Sequence, residues 1–149
     1  MTWTTEDARR QYSMSGWGSG YVDVGDRGHL LVRPAGRPDS ASIDLRELAD
    51  RAHAAGLTWP VLVRFTDILH AQVDRLCTAF SRAMERHALD SRYTAVYPIK
   101  VNQQRHVVEP IIRHGGERVG LEAGSKTELM ALLGIAAPGT TIICNGYKD

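Results

Sequence analysis

The segment Y-T-A-V-Y-P-I-K-V-N at residues 93–102 is the clearest indication of the fold, because an apolar, strand-like run ends there on a lysine. Downstream of it the hydrophobic pattern alternates between the strand and helix periods. We predict three strands and two helices, in the chain order 93–99, 103–113, 118–122, 125–133 and 140–144. This alternation predicts right-handed crossovers and a parallel sheet, which is either doubly wound or part of a barrel.

Two features of the predicted helices bear on this pattern. Ser125 with Glu128 three residues later is typical of a capping box, and Gly134 stands where a helix commonly ends. Pro110 falls inside the helix predicted over 103–113, where it removes a hydrogen bond. We therefore expect Pro110 to kink that helix or to delay its start.

The chain before residue 93 has a different texture. Residues 21–32 predict a β-hairpin around the turn G-D-R-G at 25–28. Asp44 and Glu47 predict a capped helix that ends at Gly56. The apolar run 60–65 predicts a further strand. Thr66 or Asp67 then caps a longer helix, whose apolar stripe is Leu69, Val73, Leu76, Phe80 and Ala83. Residues 1–12 carry little pattern, and we expect them to be frayed or loosely attached.

Composition excludes several classes of function. The chain has 149 residues and a formal net charge of +1, whereas a nucleic-acid-binding protein would show a strongly basic face. Its longest apolar runs are far too short to cross a bilayer. From the polar first ten residues we expect no signal peptide, and two cysteines fit a reducing cytoplasm. We expect a soluble cytoplasmic protein with no nucleic-acid or membrane partner, in which Cys77 and Cys144 are small buried hydrophobes.

Two further motifs are better explained by structure than by ligand binding. The segment G-L-E-A-G-S-K-T at 120–127 approaches a phosphate-binding loop, but Ser125 occupies the position where that loop needs glycine. An N-cap is the better interpretation of Ser125. The six histidines and two cysteines show no metal-ligand spacing, so we predict no metal site formed by protein groups alone.

Lys100 is the strongest candidate for chemistry, because ligands of parallel α/β folds bind at the carboxyl ends of the strands. Partial desolvation there favours a neutral amine, which can condense with an aldehyde. Alternatively, Lys100 marks the strand end with its ammonium in solvent. Glu122 ends the next predicted strand and would face the same crevice if the two strands are adjacent. It could pair with a cation or be an exposed loop acid, and Asn145 and Lys148 leave the same choice open.

Three motifs occur in order: Y-P-I-K-V-N-Q at 97–103, G-L-E-A-G-S-K-T-E-L at 120–129 and I-I-C-N-G-Y-K-D at 142–149. Together they resemble the biosynthetic arginine decarboxylases, which have the alanine-racemase-like fold of pyridoxal phosphate (PLP) enzymes. The upstream segments W-G at 17–18 and Y-V-D-V at 21–24 are similar to that family's N-terminal approach. The resemblance therefore extends from about Trp17 to the last residue.

The resemblance implies that Lys100 forms the Schiff base with PLP and is the catalytic lysine. It implies a reaction that converts L-arginine to agmatine and carbon dioxide for polyamine biosynthesis, spermidine included. It also implies that the Glu122 segment lies at the edge of the cofactor, which makes Glu122 a cofactor-binding residue. Family members are described as requiring Mg²⁺ and as homo-oligomers.

The fold class that the resemblance implies is α/β, the start of a PLP-binding (β/α)8 TIM barrel after a short β-rich segment. We expect residues 1–58 to form the hairpin and helix lead-in, and residues 59–149 the first part of the barrel, with about three strands. Because family members are several times longer, we expect an N-terminal portion with an incomplete barrel, weakly stable and inactive alone. Two alternatives are a non-catalytic partner that docks onto a full-length decarboxylase through its unpaired strand edge, and a small PLP-holding protein.

Overall fold

The computed structural model describes residues 2–146. These residues divide into two compact units, one ending at Ile68 and the other beginning at Leu69. Lys148, whose role the sequence left open, lies outside the described residues. No helix within residues 2–146 is long and apolar enough to span a membrane.

The first unit combines an antiparallel sheet with three short helices. In chain order its elements are α1 (Thr5–Gln11), α2 (Met14–Trp17), β1 (Val22–Val24), β2 (Leu30–Val32), β3 (Ile43–Asp44) and α3 (Leu45–Ala54). Strands β1 and β2 form the predicted hairpin, in which Val24 pairs with Leu30 across the turn. Strand β3 adds to the sheet beside β2. It was not predicted, since two residues are too few to show a strand period.

Residues 5–11 form helix α1, so the expectation of a frayed N-terminal segment is wrong for this stretch. Thr4 caps it, because its hydroxyl accepts from the Asp7 amide at 3.2 Å while the Asp7 carboxylate accepts from the Thr4 amide at 3.0 Å. Arg9 Nε donates to the Asp23 carboxylate at 2.7 Å and attaches the helix to β1. A short polar helix of this kind has no apolar stripe, and its signal is confined to the cap.

Helix α3 has both of the ends that were predicted for it. The Asp44 carboxylate accepts from the amides of Arg46 and Glu47, as an N-cap does. At the other end Gly56 takes a positive φ of 85°, and the Leu57 amide donates back to the Ala52 carbonyl at 3.1 Å. This is the Schellman arrangement, which explains the glycine.

The run 60–65 forms no strand, and this prediction is wrong. A strand needs a neighbour for its amides and carbonyls, and no strand of the described residues pairs with this run. Leu62 is 72% exposed, which shows that apolar character alone did not bury the segment.

The second unit holds most of helix α4 (Thr66–Arg86) and a parallel sheet with its crossover helices. Its further elements are β4 (Ala95–Pro98), a 3-10 turn (Ile99–Val101), α5 (Arg105–Gly115), a second 3-10 turn (Gly116–Arg118), β5 (Val119–Ala123), α6 (Lys126–Leu133) and β6 (Ile142–Cys144). The strands are parallel in the order β4-β5-β6, with Tyr97 opposite Leu121 and Leu121 opposite Ile142. The predicted parallel sheet and its two helical crossovers are confirmed.

Helices α5 and α6 pack on the same face of this sheet. Val108 of α5 and Leu132 of α6 are fully buried in one cluster with Leu121 of β5. A second cluster joins Cys77 of α4 to Ala95 of β4, together with residues of α5 and β5. Side chains of successive strand residues point to opposite faces, so this helix-covered face is lined by every second residue of each strand.

Helix α5 continues through Pro110, although it begins at Arg105 and not at the predicted residue 103. Proline has no amide hydrogen, so the carbonyl four residues before it loses its helical partner. The adjacent turns are anchored by Val108 and Ile111, which are 0% and 6% exposed. Burial of these side chains maintains a helix that proline by itself would interrupt.

Helix α4 differs from its prediction in two details. Thr66 is its first helical residue, so neither Thr66 nor Asp67 is the N-cap. Its packing face runs through Leu69, Val73 and Cys77. Leu76 and Phe80, which the predicted stripe included, are each 45% exposed. A spacing of three or four residues fits both stripes, so periodicity could not choose between them.

Candidate active site

Lys100 lies in the 3-10 turn that follows β4, at the carboxyl edge of the parallel sheet. Its neighbour Ile99 is 2% exposed and packs with the cluster formed by β5, α5 and α6. Lys100 and Val101 are both exposed. The turn is therefore anchored by one buried side chain, and it presents the amine of the next residue beyond the strand end.

Two hydrogen bonds fix the conformation of this turn. The Tyr97 hydroxyl donates to the Asn102 carbonyl at 3.1 Å, across the turn that contains Lys100. The Asn102 side-chain oxygen accepts from the Gln104 amide at 2.9 Å, just before α5 begins. Partial burial raises the pKa of the Tyr97 phenol, so the hydroxyl remains a donor. The stretch from the last residues of β4 to the start of α5 is thus tied at both ends.

Glu122 lies on β5, which the structure places directly beside β4 as a parallel neighbour. Glu122 is opposite Pro98 on one side and Ile143 on the other. The strand that leads to Lys100 and the strand that carries Glu122 are therefore adjacent, as the prediction of a shared crevice required. Both residues belong to the carboxyl edge of the same sheet, where Lys100 is two residues beyond the partner of Glu122.

Asn145 joins this edge from the third strand. Its side-chain amide donates to the Glu122 carboxylate at 3.4 Å, and its backbone amide donates to the Ala123 carbonyl at 2.8 Å. Gly146, with a φ of 94°, approaches the Gly124 carbonyl so closely that a Cβ there would lie 2.8 Å from it. The chain segments after β5 and β6 are therefore packed together, and Glu122 has a polar neighbour.

The sheet has an open face on the side opposite α5 and α6. We use this name for the face lined by Val96, Pro98, Glu122 and Ile143, which alternate with the helix-facing residues. Glu122 is half-buried and Ile143 is 45% exposed. Within the described residues, none of these four belongs to a hydrophobic cluster.

The structure supports the N-cap interpretation of Ser125 against a phosphate-binding loop. The Ser125 hydroxyl accepts from the Glu128 amide at 3.2 Å, and the Glu128 carboxylate accepts from the Gly124 amide at 2.7 Å. A carboxylate at this helix start already satisfies a donor that a phosphate would need. Lys126 is exposed in the first turn of α6.

The two cysteines have different environments. Cys77 is 4% exposed, in the cluster that joins α4 to Ala95 of β4, so the prediction that it is buried is confirmed. Cys144 is exposed, so the prediction that it is buried is wrong. It is the last residue of β6, the strand at one edge of the sheet. No group of three or more His, Cys, Asp or Glu suited to a metal occurs among residues 2–146.

Sequence reasoning singled out Lys100 and Glu122 but gave no role to Tyr97 or Asn102. Both residues were inside the quoted motif, and nothing in its spacing indicated a contact. The hydrogen bond between them joins residues five apart, and it exists because the 3-10 turn brings the Asn102 carbonyl back over the strand end. A strand or helix template predicts no such contact.

Comparison with known proteins gives a consistent result. Residues 70–149 match the family model described as the pyridoxal-binding domain of pyridoxal-dependent decarboxylases. The biosynthetic arginine decarboxylase of Alkalilimnicola ehrlichii is 55% identical over 147 residues, which is 99% of this chain and 23% of that protein. The enzyme of the same name from Chromobacterium violaceum is 52% identical over 100% of this chain and 24% of its own length.

A solved structure is similar as well. The biosynthetic arginine decarboxylase of Campylobacter jejuni superposes with a TM-score of 0.80 at 27% sequence identity. The match covers 93% of this chain and 22% of that one. The chain thus spans about a quarter of the length of the relatives that it matches.

Proposed function

Because this chain belongs to the pyridoxal-dependent decarboxylase family, we propose that it is the N-terminal part of a biosynthetic arginine decarboxylase. The observation that carries the proposal is the position of Lys100. It is an exposed amine on a fixed turn, at the carboxyl edge of a parallel sheet, within the part of the chain that matches the pyridoxal-binding model. In this role Lys100 is the catalytic residue and holds the cofactor covalently.

The sheet is proposed to be the first part of a TIM barrel, with residues 1–58 as the lead-in and residues 59–149 as the barrel portion. Two observations support this. The strand order β4-β5-β6 follows the chain order without reversal, and α5 and α6 pack on one face only. A doubly wound sheet reverses its strand order and carries helices on both faces. In a closed barrel the open face would line the interior.

The residues present fit the attachment of pyridoxal phosphate. The group requires a primary amine, and the amine of Lys100 is exposed beyond a strand end. When bound, the cofactor supplies an electron sink for the carbon that loses carbon dioxide. Glu122 is proposed to lie at the cofactor's edge, where Asn145 orients its carboxylate. Ile99 and Tyr97 hold the turn and thereby the amine in position.

L-Arginine is the proposed substrate because the relatives that match 99% or more of the chain carry that name. The product would be agmatine, which supplies polyamine biosynthesis. A Mg²⁺ requirement, homo-oligomerisation and a cytoplasmic location are proposed from the family resemblance alone. The described residues assign no site to Mg²⁺.

A chimeric enzyme tests the proposal. In it, this chain replaces the matching 23% of the Alkalilimnicola ehrlichii enzyme, to which it is 55% identical. We expect the chimera to release carbon dioxide from labelled arginine when PLP is present. Lys100→Ala should abolish this release, whereas Lys126→Ala, which removes an exposed lysine of α6, should leave it unchanged.

The 149-residue chain alone should release none, because three strands cannot enclose a substrate. The proposal is overturned if a folded, PLP-loaded chimera is inactive, or if the Lys100→Ala form retains activity. Turnover by the isolated chain that is lost in Lys100→Ala would contradict the expectation that it is inactive alone.

A further inference from the structure

We infer that Tyr97 is a positioning residue for Lys100, acting through the hydrogen bond of its hydroxyl to the Asn102 carbonyl. The inference rests on the proposed role of Lys100, and it deepens that role by naming the group that holds the lysine-bearing turn. Tyr97 lies three residues before the lysine and is bonded two residues beyond it. The hydroxyl therefore closes a loop around Lys100.

The ring of Tyr97 is itself firmly held. It packs against both hydrophobic clusters of the second unit, the one that contains Cys77 and the one that contains Leu121. In the sheet it is opposite Leu121, which is fully buried. Because the ring is fixed in the core, its hydroxyl has a fixed position. The hydrogen bond to Asn102 therefore restrains the exposed turn.

The turn has few other restraints. Ile99 anchors its first residue, whereas Lys100 and Val101 are exposed, the latter at 69%. The Asn102 side-chain oxygen then accepts from the Gln104 amide. Apart from the backbone hydrogen bonds of the 3-10 turn itself, the Tyr97 bond is the contact that ties the far end of this turn back to β4. Catalytic groups need support of this kind to keep their geometry.

The matched substitutions are Tyr97→Phe and Tyr93→Phe. The first removes only the hydroxyl that reaches Asn102 and keeps the packed ring. The second removes a hydroxyl from a tyrosine that stacks on Phe80 at 3.9 Å, before β4 begins. Both lose one phenol oxygen from the same part of the chain. Only the Tyr97 variant should affect the turn.

The first measurement is amide hydrogen exchange of the 149-residue chain. In Tyr97→Phe, exchange over residues 99–104 should become about threefold to tenfold faster, as expected for the loss of one hydrogen bond. Exchange in α6 should not change, and Tyr93→Phe should leave both segments as they are. Equal exchange over residues 99–104 in Tyr97→Phe and the unmodified chain overturns the inference. This includes the case in which both exchange at the rate of the unfolded chain.

The second measurement separates this inference from the proposed function. The chain has only three lysines, at positions 100, 126 and 148, so borohydride trapping of added PLP can be assigned by peptide mapping. We expect Lys100 to be trapped in preference to Lys126, and Tyr97→Phe to lower this preference by about threefold or more. If Lys100 is not preferred in the unmodified chain, the proposed role of Lys100 is contradicted, and the exchange result still decides the role of Tyr97. If Lys100 is preferred equally in both forms, the positioning role is overturned.

Discussion

Ile99 and Lys100 are adjacent in sequence and opposite in environment, and this contrast defines the site at the scale of single residues. Ile99 is 2% exposed, whereas the lysine beside it is exposed. A fixed backbone next to an exposed lysine suits the role proposed for Lys100, because little order remains to be imposed when an aldehyde binds. The hydrogen bond from the Tyr97 hydroxyl to the Asn102 carbonyl restrains the far side of the turn as well.

The ion pairs of Asp74, in the second unit, allow a prediction about how stability depends on pH. His114 Nε2 lies 2.9 Å from the Asp74 carboxylate, and Arg118 donates to the other oxygen at 2.9 Å. These contacts, His114 first, lower the pKa of Asp74 below its ordinary value of 3.8. A carboxylate whose pKa is lowered by folding stabilises the folded state at pH values above its ordinary pKa. This stabilisation is lost as the pH falls through the lowered pKa.

We therefore expect Asp74→Asn to reduce the free energy of unfolding at neutral pH by no more than about 1 kcal/mol, because the Asp74 side chain is about half exposed and solvent screens its ion pairs. The same substitution should flatten the decline in stability below pH 4, as measured by urea unfolding at a series of pH values. Asp90→Asn, in an exposed loop, is the control and should leave the profile unchanged. If stability falls below pH 4 in Asp74→Asn as steeply as in the unmodified chain, Asp74 does not contribute to this fall and the prediction is wrong.

At the scale of elements, the helices and strands of the second unit meet through close backbone approaches as well as apolar clusters. Gly115 ends α5 just before the chain turns into β5. A Cβ at Gly115 would lie 2.2 Å from Val119 Cγ2, and Val119 is 4% exposed. Position 115 therefore requires glycine because a Cβ would clash with Val119, and not because the backbone has a positive φ.

Gly115→Ala should destabilise the chain by about 1–3 kcal/mol, because the buried Val119 must move. Gly134→Ala is the matched control at the end of α6, where a Cβ would meet only an ordinary contact at 3.4 Å. Its φ of −74° is open to alanine, so it should be neutral or stabilise by up to about 1 kcal/mol. Urea unfolding of the two variants measures both effects. Equal destabilisation by the two substitutions would argue against the close approach at Val119.

At the scale of the whole molecule, the parallel sheet is asymmetric. On its helix-covered face Leu121 is fully buried against Val108 of α5 and Leu132 of α6, whereas the open face holds Glu122 and the half-exposed Ile143. Burial of one face accounts for the apolar contribution of the sheet to stability. The carboxyl edge with Lys100 adjoins both faces.

This asymmetry predicts different costs for two apolar substitutions in adjacent strands. Leu121→Ala removes a side chain with no exposed surface and should cost about 2–5 kcal/mol. Ile143→Ser, on the open face, should cost less than about 1 kcal/mol. Unfolding of the 149-residue chain in urea compares them directly. A cost for Ile143→Ser that equals the cost for Leu121→Ala would mean that the open face is covered in this chain.

Local sequence patterns predict the order of strands and helices from residue 93 onward, the caps at Asp44 and Ser125, and Lys100 as the candidate lysine. These signals are local, since a cap spans three residues and a helical stripe repeats within four. The three-dimensional fold was needed to establish that β4 and β5 are neighbours, that 60–65 has no strand partner within residues 2–146, and that Cys144 is exposed. It also joined Glu122 to Asn145, 23 positions apart, and Tyr97 to the Asn102 carbonyl. Such contacts depend on strand register and on the conformation of one turn, neither of which a local pattern encodes.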